Sequence, residues 1–343
     1  MMGEPLNEAE RAEGLADVVS DDSRAQFRGV HSLSGDRSTE FLESLLAALE
    51  RGSAAAPNAL LPFVEDPRVR PALAAATRRA PAADLANFAQ ALALAGGDAA
   101  SAVLRERLRE LINAPATFKD DPFFNSVTGS LVTVAHGLLR LGSDQDEASM
   151  VLARVVREHP CGFNRRSAAY QIGEALDENL PQETRRLLEG VLAEQLASTD
   201  PQMIATVAHT VAKSSPDLVL AKCRDLLSEP SSEIRSPVAA ALERMENPSA
   251  RAVLLEHLPR EPWLRSAAQI AAYLGKDVPA TLRADIAKRA LADESPSLRR
   301  IGTALLSGLD SDTAKALADA ALVDEPDPLL QKRLQEQAGR GPA

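Results

Sequence analysis

Glu158, His159 and Cys161 place a carboxylate, an imidazole and a thiol within four residues of one another, the set that could hold a soft metal ion or activate a nucleophile. Neither chemistry is completed by spacing. The only other cysteine is Cys223, no second histidine lies at ligand distance in sequence, and no orienting group for a nucleophile can be identified. A loop histidine beside a packed cysteine accounts for the same residues. His136 and His209 fall on apolar helical stretches, where core or rim packing is the default, and His31 and His257 stand alone. Gly-x-Ser-x-Gly, Gly-x-Gly-x-x-Gly and His-Glu-x-x-His are all missing, and Gly275-Lys276 lacks the upstream glycine of a phosphate loop. The expectation is no catalytic residue, no metal and no cofactor.

The remaining candidates are contact residues. Arg154, Arg157, Arg185, Arg186, Arg224 and Arg283 fall on predicted helices of one kind and could face a partner, although they share no common register and are mixed with acids such as Glu189 and Asp225. Phe118, Phe123 and Phe124 gather in one longer connection, where Phe123 and Phe124 could cover a junction or meet a partner. Arg70, Arg166, Arg235, Arg265 and Arg299 recur once per repeat, at equivalent positions in five predicted helices of the other kind, called A below. They could form a ladder gripping an acidic partner, but pairing with an acid or a helix-end carbonyl of the next repeat is favoured, because stacking itself imposes one residue per repeat. Trp263, the single tryptophan, could anchor a partner or pack between repeats; packing is favoured.

The elements that hold these residues repeat. Ile234-Arg235, Leu264-Arg265 and Leu298-Arg299 head three similar alanine-rich stretches, giving a period of 30 and then 34 residues. Pro181, Pro216, Pro248 and Pro279 interleave with Pro201, Pro230, Pro262, Pro296 and Pro328, so two phase-shifted proline series mark two helices per repeat. One kind of helix, A, is predicted to begin near 82, 122, 163, 200, 231, 261, 295 and 326, and the other, B, near 98, 144, 181, 216, 248, 279 and 312. Asp66-Pro67 opens the first clear repeat, and Asp121-Pro122, Asp200-Pro201, Ser295-Pro296 and Asp327-Pro328 repeat the device. No stretch alternates with period two, so no sheet is predicted.

Asp66-Pro-Arg-Val-Arg-Pro-Ala-Leu-Ala-Ala-Ala76 and its copies resemble HEAT repeats, especially the bacterial HEAT-like kind of the phycobilisome lyases, over roughly residues 60–338. Pro71 and Pro237 resemble the proline that kinks the first helix of many such repeats. Met203-Ile204 departs from the pattern in lacking the arginine, and the repeats starting near 82 and 122 are longer. The resemblance implies an all-α, right-handed α-solenoid of stacked helical hairpins, with B helices on the concave side. It implies a non-catalytic scaffold or adaptor binding a protein through the curved surface. The alternative is a HEAT-like enzyme, either bilin lyase-like or, with less support, DNA glycosylase-like.

Composition agrees. The 343 residues include only 3% aromatics, too little bulk for one large core but suited to many small helix contacts. The net charge of -11 is uneven: residues 1–50 carry -7 and residues 310–330 carry -5, leaving the body from 51 to 309 at about -1. A near-neutral body lacks the basic surface that duplex binding needs. The start Met1-Met-Gly-Glu-Pro has no basic and apolar leader, and no apolar run reaches a membrane span. The expected organisation is a loosely ordered acidic arm over 1–37 with one short helix after Asn7, a single elongated solenoid over 38–338, and a tail over 339–343. The expected protein is cytoplasmic, with reduced thiols, acting as a monomer or homodimer on a protein partner without nucleic acid or membrane.

Overall fold

In the computed structural model, which describes residues 7–114 and 126–339, helix starts fall where the prolines place them. At α12 (Pro201–Ser214), α15 (Pro248–His257) and α20 (Pro328–Gln337) proline takes the first turn, where its missing N–H costs nothing, and Asp200, Asn247 and Asp327 cap the helices through their side chains. Pro237 sits inside α14 (Ser232–Arg244), in the place expected for a kinking proline. Among the described residues there is no strand.

The contacts form two compact units divided at Gln195–Leu196, a boundary that composition does not mark. The first unit holds α1 (Glu8–Val18), α2 (Ser23–Ser32), α3 (Thr39–Glu50), α4 (Ala56–Ala59), α5 (Val69–Arg79), α6 (Leu85–Ala95), α7 (Asp98–Ile112), α8 (Ser126–Arg140), α9 (Gln145–Glu158), α10 (Gly162–Ala175) and α11 (Gln182–Leu196). In it, α6, α8 and α10 stack as one row, with α7 and α9 packed against that row. The second unit holds α12, α13 (Pro216–Leu227), α14, α15, α16 (Leu264–Leu274), α17 (Ala280–Leu291), α18 (Pro296–Leu306), α19 (Ser311–Leu322) and α20. There α12, α14, α16, α18 and α20 form the A row and the helices between them the B row.

Two expectations change. The segment after Asn7 is not a loose arm with one helix: Asn7 and Glu10 complete a capping box on α1, as the sequence predicts, but α2 then packs back on α1. Glycine makes that approach possible, since a Cβ on Gly29 would stand 2.6 Å from the Gly14 carbonyl oxygen. Helix α5 starts at Val69, two residues after Pro67 and without a side-chain cap from Asp66, and it stacks between α3 and α7, so it belongs to the B row and Arg70 is not on an A helix.

The arginines of the second unit act as staples. Arg235 is buried and donates through Nε and Nη2 to Glu261 at 3.1 and 3.0 Å, while its Nη1 reaches the carbonyls of Glu229 and Pro230. Arg299 repeats every bond: Nε and Nη2 to Glu325 at 2.9 and 3.1 Å, and Nη1 to the carbonyls of Asp293 and Glu294. Each glutamate also accepts the backbone N–H two residues on, at Trp263 and Asp327, and so fixes the entry to the next A helix. The packing explanation therefore holds for these two residues. It fails for Arg265, which is exposed, because the true equivalent of Arg235 in α16 is the buried Ala267. The period is 32 residues throughout, from Met203 to Arg235, Ala267, Arg299 and Gln331, and the Gln331 amide still donates to the Glu325 carbonyl. Where Met203 replaces the arginine, Glu229 has no guanidinium to receive and stays exposed.

A second set of arginines closes helix ends. Arg70 donates to the Ala95 carbonyl at 3.0 Å and Arg251 to the Leu274 carbonyl at 3.0 Å, each at the C-terminus of an A-row helix. Cations there satisfy orphan carbonyls and meet the negative end of the helix dipole.

Candidate functional site

The sequence candidates are mostly engaged within the fold. His159 is 2% exposed; its Nδ1 accepts the Cys161 backbone N–H at 3.0 Å, which places the ring proton on Nε2, directed at Thr128 Oγ1 3.1 Å away. It anchors a turn. Cys161 is buried, and Cys223 is buried with its thiol pushed up by burial, so neither is poised for attack. Among the described residues no cluster of His, Cys, Asp and Glu could hold a metal ion. Trp263 is half-exposed rather than packed between repeats.

The six contact arginines do not converge. Arg157 makes a two-pronged pair with Glu194 at 2.8 and 2.7 Å, a bond that raises its own pKa and lowers that of the carboxylate. Arg154 pairs with Glu158 on its own helix, and Arg224 pairs with Glu256. Arg185, four residues past its opening proline, reaches back to the Leu176 carbonyl at 2.6 Å. Arg283, at the same offset, reaches back to the Gly275 and Val278 carbonyls and across to Gly308. It is 3% exposed and offers nothing to a partner. Arg186 is exposed. Phe123 and Phe124 lie outside the described residues.

What the structure does bring together was not singled out by sequence. Three A-row helices of the first unit, α6, α8 and α10, enclose a cleft of about 230 Å³ between Gln90, Leu94, His136, Arg140, Tyr170 and Gln171. Gly137 lets α8 approach closely enough to form it, since a Cβ there would meet the Ala93 side chain at 3.0 Å and Leu104 at 3.1 Å. Burial holds the His136 imidazole down at about 4, helped by the charge of Arg140 and opposed by a hydrogen bond with Gln171. The ring is therefore neutral at pH 7, and the Arg140 guanidinium lies 3.7 Å from Glu178. Apolar surface borders the cleft at Leu94, 41% exposed, and Tyr170, 42% exposed; farther along α10, two turns before Tyr170, Phe163 is 49% exposed. A neutral imidazole and two amides can orient a ligand by hydrogen bonds, while the rim supplies contact area.

The depressed histidine makes a pH prediction. An unfolded histidine takes its proton near pH 6.5, but His136 resists until about 4, so the unfolded state binds more protons between those values. Stability is full above pH 6.5 and falls as the pH drops through about 4. Urea titrations of wild type and His136→Gln between pH 7 and 4.5 are expected to differ in slope, the variant losing roughly 1–2 kcal/mol less over that range. Parallel slopes would place the histidine in an ordinary solvated setting.

A family model for HEAT repeats matches residues 188–274. No curated protein matches the chain. Kap121p bound to Pho4p aligns with 96% of this chain and 40% of its own length, at a TM-score of 0.50 and 13% identity. Kap121p bound to Nup53p aligns over 98% and 41%, at 0.49 and 12%. The CpcE–CpcF complex of phycocyanin lyase from Nostoc aligns over 79% and 97%, at 0.45 and 15%. The chain thus spans less than half the length of the Kap121p structures, and at these identities the likeness concerns the fold. The family model for HEAT repeats covers residues 188–274 of an all-α solenoid of paired helices stapled at a 32-residue period in its second unit, and over those residues the chain is similar to that family.

Proposed function

We propose that the chain is a cytoplasmic bacterial scaffold without catalytic activity, which binds another protein through the α6–α8–α10 face of its first unit. The observation that carries this reading is the polar cleft at His136, with Leu94 and Tyr170 exposed on its lining and Phe163 exposed two turns before Tyr170 on the same helix. Large apolar side chains held in a group on a rigid surface are what a partner desolvates, and tyrosine is enriched where such contacts are strongest. Arg154, Arg157, Arg186 and Arg224 are exposed and supply secondary polar contacts. Rim charges of that kind tune rate and salt dependence more than affinity.

The test is site-directed. With a photoreactive benzoylphenylalanine in place of Tyr170, illumination in cells is expected to join the chain to one protein species. The same label at exposed Lys315, in the second unit, should not. The pair Leu94→Ser and Tyr170→Ala should lower recovery of that species about tenfold or more while leaving the helical signal intact. Undiminished recovery by the double variant would move the binding face elsewhere.

A further inference from the structure

A cavity of about 530 Å³ in the second unit lies against the Arg299–Glu325 staple, beside α17 and α19. It has a counterpart 64 residues earlier, against the Arg235–Glu261 staple, where the corresponding space is broken into two clefts of about 330 and 110 Å³. The two sites correspond position by position: Arg224 with Lys288, Leu227 with Leu291, Val253 with Leu317, and Pro262 with Pro326. What differs is the filling. Glu256 and His257 in the earlier site become Ala320 and Ala321 in the later one, and Arg260 becomes Asp324.

In the earlier site the chain closes its own groove. Glu256 is held by Arg224 at 3.3 Å and by Arg260 at 3.2 Å, which draws the mouth together. His257 Nε2 lies 2.8 Å from Glu261, giving that carboxylate a third side-chain bond beyond the two from Arg235. In the later site Glu325 receives the same two bonds from Arg299 and the same backbone N–H, but the place of the imidazole is taken by a methyl group. A cavity opens where the side chains are missing. Its walls are apolar at Leu291, Leu317 and Pro326, and Asp293 and Asp324 stand with Lys288 at its edge.

We propose that this cavity is a binding site for a ligand carrying an imidazole or similar planar N–H donor on an apolar stem, the donor taking on Glu325 the position that His257 takes on Glu261. The volume lies within the range of small-ligand pockets and exceeds one imidazole, so the apolar walls are left to receive the stem. The acids at the edge favour a positively charged ligand over an anion. Such a group could come from a free amine or from a histidine side chain of a peptide; the chemistry at Glu325 is the same. The site lies in the second unit and stands independently of the Tyr170 face.

The experiment uses the full chain, with histamine as the free amine and N-acetylhistidine methylamide as the side chain in a peptide setting, each followed by ligand-observed NMR and calorimetric titration. At least one is expected to bind with a Kd on the order of 1 mM or tighter, a modest value for so small a probe. Ala321→His, which rebuilds the chain's own plug, should weaken binding at least tenfold while the melting temperature stays at or above that of wild type. The reciprocal variant, His257→Ala, should lose thermal stability that added imidazole partly restores. Binding of histamine alone identifies a free amine, and binding of the capped histidine a peptide side chain; either supports the site. Absence of binding by both probes, or binding that Ala321→His leaves unchanged, overturns it.

Discussion

Replacing Arg235 by methionine is expected to destabilise the second unit by about 3–5 kcal/mol, the largest single-residue effect in that half of the molecule. The reason is what the change leaves behind. The Glu261 side chain is 0% exposed and accepts two bonds from the guanidinium. Without them its charge stays in a dry site with only the His257 ring and the Trp263 N–H for company. The pair as a whole is worth less than its breakage, because two desolvated ions roughly offset their own attraction. Arg235→Met combined with Glu261→Leu should therefore recover all but about 1–2 kcal/mol, the remainder being the lost cap on Trp263. In the preceding repeat, where Met203 holds the arginine position, the corresponding Glu229 is exposed instead of buried, so no charge is left in a dry site there.

The same pair sets a pH dependence. Burial pushes the Glu261 carboxyl upward, but the bonds from Arg235, the Trp263 N–H and His257 outweigh it and hold the group below its ordinary value. A carboxylate lowered in the folded state stabilises fully above the pH at which the unfolded group ionises, and that contribution is lost as the pH falls through the folded value. Acid should therefore narrow the gap between wild type and Arg235→Met. Trp263 is the only tryptophan and stands two residues from Glu261, so its fluorescence during urea unfolding follows this unit directly. Equal unfolding midpoints for wild type and Arg235→Met at neutral pH would refute the staple.

Why some of this was legible in sequence and some was not follows from where the information sits. Helix starts were legible because proline and its capping neighbour act locally: Pro201, Pro216, Pro248 and Pro328 each occupy a first turn. Register was harder. The Leu264-Arg265 dipeptide mimics Ile234-Arg235, yet sits two residues off the structural repeat, which the Glu-Pro pairs at 229, 261 and 325 mark correctly. Those pairs are the entry points of the A helices, and a period counted from them gives 32. The cleft at His136 could not be found by spacing at all, because Gln90, His136 and Gln171 come from three helices and each looks unremarkable on its own. The staples Arg235 and Arg299 and the helix-closing Arg70 were visible in a once-per-repeat set, but only geometry separates Arg283, whose terminal nitrogens reach carbonyls while its Nε finds no partner, from Arg186, which is exposed.

The α1–α2 hairpin was illegible for a different reason, and it yields the second large prediction. Its contact is made by backbone, not by a stripe of large apolar side chains, so the usual periodic signal is weak. A Cβ on Gly29 would lie 2.6 Å from the Gly14 oxygen and 2.7 Å from the Val18 nitrogen, neither of which can move without moving a helix. Gly29→Val is therefore expected to cost about 3 kcal/mol, the upper end for overpacking, since no side chain can rotate away. Gly29→Ala should cost less, because a better helix former returns about 1 kcal/mol. The loss should be local: hydrogen exchange is expected to rise over residues 8–32, baring Val18 and Leu33, which are otherwise 0% and 1% exposed, while the second unit keeps its protection. Gly35→Ala is the control, because nothing lies within 4 Å of the Cβ it would gain. If Gly29→Val leaves exchange over 8–32 as slow as in wild type, the two helices are not held at that distance, and the first 37 residues return to being the loose acidic arm that their composition suggests.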